Sequence, residues 1–205
     1  GLAAPAALSS VQATAAIGLM LSGFFFITAL VIAAVALVLG VRSMLENGVG
    51  VETAPTLMIL IPITTILGIL LLRQEHGLGE HFAAHAEAAG TMMMLTQMIA
   101  FQVLFGILGF FVLARLGYAK RFLFGSDNSA GAYALVCPGV GFAVLMQFWV
   151  NKGLVGAGLL DKFSAPYWAL TAIALISQFA MVWLVFHLNR RHFSAARTAA
   201  AVPAE

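Results

Sequence analysis

Apolar residues come in five long blocks separated by short polar connections. The first runs from about Val11 to Val41, the second from Pro55 to Leu72 and the third from Ala88 to Leu116. The fourth covers Ala130 to Val150 and the fifth Pro166 to Leu188. A helix needs about 20 apolar residues to cross the hydrocarbon, so the blocks have the right scale. None alternates as a barrel strand would, and a backbone in lipid must satisfy its own hydrogen bonds. The pattern predicts an all-α, polytopic integral membrane protein, with residues 1–205 forming one transmembrane domain of five transmembrane helices. The first block is longer than a crossing requires, which predicts tilt or an interfacial start. The Ala-rich stretch 189–205 is expected to be a frayed or disordered tail.

Composition agrees: 62% of residues are hydrophobic and 9% are charged, against about 25% charged in ordinary soluble domains. That excludes a soluble enzyme. The net charge is only +2 and the basic residues are dispersed, which leaves nucleic-acid binding without an electrostatic basis. Cys137 is the single cysteine; in an apolar span its thiol is expected to be packed and inert. The first charged side chain is Arg42, so a signal peptide's basic segment is lacking. With Gly1 at the start, either a segment has been removed upstream or the chain is part of a longer protein, and the second is the expectation.

Basic residues predict the orientation. Five crossings place Arg42, Arg115, Lys120, Arg121, Arg190, Arg191 and Arg197 on one side, and Arg73, Lys152 and Lys162 on the other. The first group belongs in the cytoplasm. The N-terminus and the polar stretch from Arg73 to Glu87 then lie outside, and the tail is cytoplasmic. Tyr167 and Trp168, at the outer end of the fifth span, suit an aromatic belt.

Two spans carry internal proline, Pro62 and Pro138, and are expected to be kinked. Proline removes a backbone donor and frees a carbonyl one turn back. In lipid that carbonyl needs a partner or water, so the kink marks either a helix–helix contact or the lining of a cavity. In Cys137-Pro138-Gly139-Val140-Gly141 small residues also allow close backbone approach.

The segment Pro55-Thr56-Leu57-Met58-Ile59-Leu60-Ile61-Pro62 resembles the proline-bounded helix of the tellurite-resistance/dicarboxylate transporter family, which includes bacterial TehA proteins and plant slow anion channels. The resemblance covers nearly the whole chain as a pattern, corresponding to the C-terminal half of a ten-helix protein. It implies that the second and fourth spans are inner, pore-lining helices, that Phe142 is the pore-occluding phenylalanine, and that the protein conducts small anions in a bacterial inner membrane. Trimers are typical of that family. Cys137-Pro138-Gly139 is not matched to a family motif, and five helices cannot close a ten-helix pore.

No Asp, Glu, Lys or Arg occupies the centre of a span, so a proton relay or buried ion pair is not expected. An anion path would use backbone dipoles, hydroxyls and aromatic edges. The pore-lining candidates are Pro62, Thr64, Thr65, Pro138, Gly139, Gly141, Phe142 and Gln147; the same polar groups could instead bond neighbouring helices. In the outer loop, His81 and His85 would stand one turn apart if Glu80 onward is helical, a spacing able to grip a metal with Glu80 or His76. A solvated face, a pH sensor or a partner contact are the other readings of this loop. Met92, Met93 and Met94 are read as packing or as contacts for soft metal ions.

A bis-histidine haem is disfavoured because His81 and His85 lie a membrane away from His187 and His192. No cofactor and no enzymatic activity are expected, since no catalytic triad, paired intramembrane carboxylates or phosphate loop occurs. The functions left open are an anion transporter or channel and a non-catalytic anchor or accessory subunit. The expected partners are a small anion, the lipid bilayer, and further copies or other membrane subunits.

Overall fold

The computed structural model describes residues 8–83, 87–125 and 127–200, with side chains to Phe193. Five helices are long and apolar enough to cross a membrane: Gln12–Asn47, Ala54–Phe82, Ala88–Arg115, Ala130–Leu154 and Ala165–Phe193. No strand occurs among the described residues. Five apolar helices of this length are compatible with a membrane protein.

Helix α1 is Gln12–Asn47. The second span opens as a 3-10 turn, Ala54–Ile59, and continues as α2, Leu60–Phe82. Helix α3 is Ala88–Arg115. The fourth span repeats the build of the second: a 3-10 turn, Ala130–Leu135, leads into α4, Val136–Phe148, which ends in a π turn, Trp149–Leu154. Helix α5 is Ala165–Ala200.

Several boundaries differ from those expected. Helix α1 continues past Val41 through Arg42–Asn47, where Arg42 and Glu46 pair at 2.7 Å one turn apart, an arrangement that supports a helix in water. Gly48, at φ 74°, ends it. Helix α2 runs on through the polar stretch as far as Phe82. Helix α5 continues to Ala200 where a frayed tail was expected, because alanine is the strongest helix former. Hydrophobicity marks the slab of lipid, and helices do not have to stop at its surface.

Pro62 and Pro138 each stand third in their α segment, directly after a 3-10 turn. At such a junction the hydrogen-bond ladder changes register from three residues to four, so a missing donor interrupts it least. Helices α2 and α4 pack against each other at the centre, with α3 touching both, α5 along α4, and α1 outermost against α2. Of the most apolar 18-residue stretch, 28% is buried in the second span and 33% in the fourth, against 0%, 11% and 17% in the first, third and fifth. The proline-bearing spans are therefore the enclosed ones.

The end of the bundle rich in arginine is tied together by polar contacts. Ser129 Oγ donates to Glu52 Oε1 (2.6 Å) and accepts from Gly131 N (3.0 Å). From α5, the Arg191 guanidinium donates to the carbonyls of Phe122 (2.8 Å), Leu123, Gly125 and Asp127 (3.3 Å). His187 Nε2 donates to Leu123 O at 2.7 Å, since a carbonyl can only accept. A guanidinium with five donors suits a turn whose carbonyls point one way.

Candidate functional site

The seam between the enclosed helices is built at Gly141. Thr65 Oγ1 lies 2.8 Å from Gly141 O and 3.1 Å from Ile61 O. A Cβ on Gly141 would stand 3.1 Å from Pro62 Cα and 3.1 Å from Thr65 Oγ1, so glycine is what lets the backbones meet. Gln102 of α3, 1% exposed, donates its Nε2 to Ile61 O and to Thr65 Oγ1, both at 2.8 Å. Three helices thus share one polar node, two turns from any charge. Gln102 was not singled out in the sequence; an amide in the middle of an apolar span was the signal that could have found it.

The eight pore-lining candidates divide into four groups. Pro62, Thr65 and Gly141 lie in the seam and close it. Thr64 bonds its own helix through Leu60 O at 2.7 Å. The Gln147 carbonyl accepts from Asn151 Nδ2 at 2.9 Å, and Asn151 Oδ1 accepts from Tyr167 OH at 3.2 Å, so Gln147 starts a polar chain from α4 to α5. Pro138, Gly139 and Phe142 border a half-open cavity of about 670 Å³ between α3, α4, α5 and the start of the second span. The eight do not converge on a single lumen within this chain. Tyr167 is only 7% exposed, with its hydroxyl on Asn151 of the π turn, while Trp168 beside it is 52% exposed.

The 670 Å³ cavity follows α3 from Gln102 towards Tyr118 and is bordered otherwise by apolar side chains and Ser177. Ser177 Oγ donates to Gly139 O at 2.9 Å. Met181 covers Gly139, which has no room for a Cβ beneath that side chain. Tyr118, at the arginine-rich end, is 1% exposed. Burial pushes its phenol above the ordinary range, and the Glu52 charge pushes it the same way.

A second hollow, about 660 Å³, opens at the other end of α2 and α4. Arg73, Glu75, His76, Glu80, Thr91 and Lys152 border it. Thr91 donates to Glu75. The described ion pairs are Arg42–Glu46 and Arg121–Asp127, so Arg73 and Lys152 pair with no described carboxylate. Arg73 and Lys152 entered the sequence reading only as topology markers, because their common hollow depends on α2 staying helical beyond Leu72.

The expected pairing of His81 with His85 falls partly outside the described residues. Helix α2 ends at Phe82, and Ala83 takes the left-handed conformation at φ 52°. Glu80 and His81 are on the helix, while His85 lies outside the described residues. Among the described residues no three His, Cys, Asp or Glu side chains gather where they could hold a metal ion. His81 instead receives Gln12 Nε2 at its carbonyl, 3.2 Å away, tying α1 to α2.

No family model, curated protein or solved structure matches this chain.

Proposed function

We propose that this chain contributes a membrane path for small anions, as a channel or carrier similar to the TehA and slow anion channel family. The observation that carries this reading is that the two proline-bearing spans are the enclosed pair and join through Thr65 and Gly141. The proline-kinked helices of that family occupy the inner positions. Arg73 and Lys152 stand at the mouth of the proline-bearing pair beside Glu75 and Glu80, and their cationic heads are the groups there that meet an entering anion. The N-terminus and this mouth face outward in a bacterial inner membrane, and the arginine-rich end faces the cytoplasm. The protein is not an enzyme on this reading.

Anion flux in proteoliposomes tests the proposal with the complete protein. Flux above background that falls severalfold in Arg73→Gln/Lys152→Gln is the expected result. Flux at background in the unaltered protein removes it.

A second reading, an accessory or anchoring subunit, is favoured by α1. This helix meets α2 through Ala15, Gly18 and Ser22, with Gln74 Nε2 donating to Ser22 Oγ at 2.9 Å. None of its most apolar 18-residue stretch is buried. Purification in mild detergent separates the two readings: a chain that runs alone speaks against the subunit role.

A further inference from the structure

Arg73, Lys152, Glu75 and Glu80 border one half-open hollow of about 660 Å³, and none of the four takes part in a described ion pair. Charges of opposite sign would draw together if they could reach; helical geometry keeps them apart. Glu75 is two residues from Arg73 on α2, a spacing at which side chains do not face each other. It accepts instead from the Thr91 hydroxyl of α3. Glu80 is seven residues on, about 10 Å along the axis. Lys152 comes from the other inner span, in the π turn Trp149–Leu154, a rare turn found mostly at functional sites.

The four charges are layered by depth. Leu72 and Phe148 form the floor of the hollow. They are separated by the same 76 residues as Thr65 and Gly141, which puts them at one level of the two inner spans. Arg73 is the first charged residue after the apolar run from Pro55, so it stands where hydrocarbon gives way to headgroups. Lys152 follows one turn above Phe148, on a flexible four-carbon stem. Glu80 lies furthest out. Apolar floor, cations and outer carboxylate are the complement of a phospholipid's own order of chain, phosphate and ammonium. A lone anion would use only half of this border, whereas a zwitterion uses both signs. An open side is what a lipid requires, because its chains must remain in the bilayer.

We propose that this hollow binds the headgroup of a phospholipid carrying a phosphate and a primary ammonium, with the phosphate on Arg73 and Lys152 and the ammonium on Glu80. An ethanolamine head has both groups. Arg73 and Lys152 donate charge-assisted hydrogen bonds to the phosphate oxygens. Glu80 accepts from the N–H groups of the ammonium, which a quaternary choline lacks and a glycerol head replaces with neutral hydroxyls. Glu75, held by Thr91, adds negative charge beside Glu80 without being free to turn away.

The purified protein in mild detergent is incubated with three phospholipids of identical chains that carry ethanolamine, choline or glycerol heads. Retained lipid is counted by native mass spectrometry. The ethanolamine lipid is expected to be retained about threefold over the other two, the scale of one exposed ion pair. Glu80→Gln is expected to bring the ethanolamine lipid to the level of the choline lipid and to leave the other two unchanged. Arg73→Gln/Lys152→Gln removes the partners of the phosphate and is expected to lower all three severalfold. Lys162→Gln, which is not on the border of the hollow, should change none. Glycerophosphoethanolamine, the same head without chains, should not displace the lipid at equal concentration; displacement would assign the hollow to a soluble ester and overturn the lipid. Equal retention of the three lipids, or an ethanolamine preference that survives Glu80→Gln, overturns the proposal as well. Retention is read without flux, so the anion path and the lipid site can fail separately.

Discussion

Thr65 and Gly141 are joined by a 2.8 Å contact from hydroxyl to carbonyl across 76 residues. The same interval separates Pro62 from Pro138, and the 3-10 turn Ala54–Ile59 from its counterpart Ala130–Leu135. The two inner spans are thus built alike, in equal register, and they meet at equivalent positions. With one span between them they run in the same direction. Where one contributes a hydroxyl the other has no side chain, which is why the pair can close.

Gly141→Val should weaken this seam. Its side chain would push into Pro62 and Thr65, both already at 3.1 Å from a Cβ, and backbone cannot rotate away as a long side chain can. A loss of about 1–3 kcal/mol is expected, the usual range for overpacking a filled interior. Thermal unfolding in detergent measures it, with Ile66→Val, on the 66% exposed face of the same helix, as the control that changes little.

Thr65→Val keeps the shape and removes the hydroxyl that serves Gly141 O and Gln102 Nε2. Leaving such buried groups short of a partner costs about 1–3 kcal/mol. In a double-mutant cycle with Gln102→Met, the two changes should be less than additive, because each removes part of one node. Strict additivity would show that the node is not a unit.

At the opposite end of the hydroxyl inventory, Tyr118 carries a phenol with no partner whose ionisation is pushed upward by burial and then by Glu52. Below the ordinary phenol range both folded and unfolded states hold the proton, so stability does not depend on this group. Above about pH 10 the unfolded chain releases the proton and the folded protein resists, so stability falls as pH climbs towards the raised value. Tyr118→Phe should be neutral or stabilising near pH 7 and should flatten that alkaline fall. A pH series of unfolding midpoints for the two proteins checks both statements.

Arg191→Ala should loosen the arginine-rich end, since four carbonyls on the 122–127 turn converge on one guanidinium. About 2–3 kcal/mol is expected, the scale of charge-assisted bonds lost from a half-buried site. Arg191→Lys should restore only part of this, because an ammonium cannot spread its donors in a planar fork. Protease sensitivity of the 119–129 segment reports the change locally.

The number of spans and their approximate centres were legible because desolvation of a helix in lipid demands a long run of apolar side chains, and no other demand produces one. The ends were not. Arg42 with Glu46, and Arg73 to Phe82, extend helices into water, where pairing and helix propensity decide and hydrophobicity is silent. Pro62 and Pro138 marked the enclosed helices correctly, yet their places at 3-10 junctions depend on six residues before each that carry no sequence mark of that turn. Gln102 and Tyr167 were obscured for one reason. Each is partnered, or left partnerless, by residues more than a dozen positions away, and single side chains do not announce which helix they will meet. The division of the pore candidates between seam and cavity depended on the same tertiary pairing.

Accessibility along α2 tests the enclosed-pair account most directly. Thr65 and Ile66 are probed in native membranes with a lipid-soluble photogenerated carbene, which inserts into any side chain it meets and needs no thiolate, and the modified positions are read by mass spectrometry. Ile66 is 66% exposed and Thr65 is 5% exposed, so Ile66 should be modified and Thr65 should stay protected until the protein is unfolded. Equal modification at the two positions, or protection of Ile66 with ready modification of Thr65, would contradict an α2 that turns its threonine face onto α4.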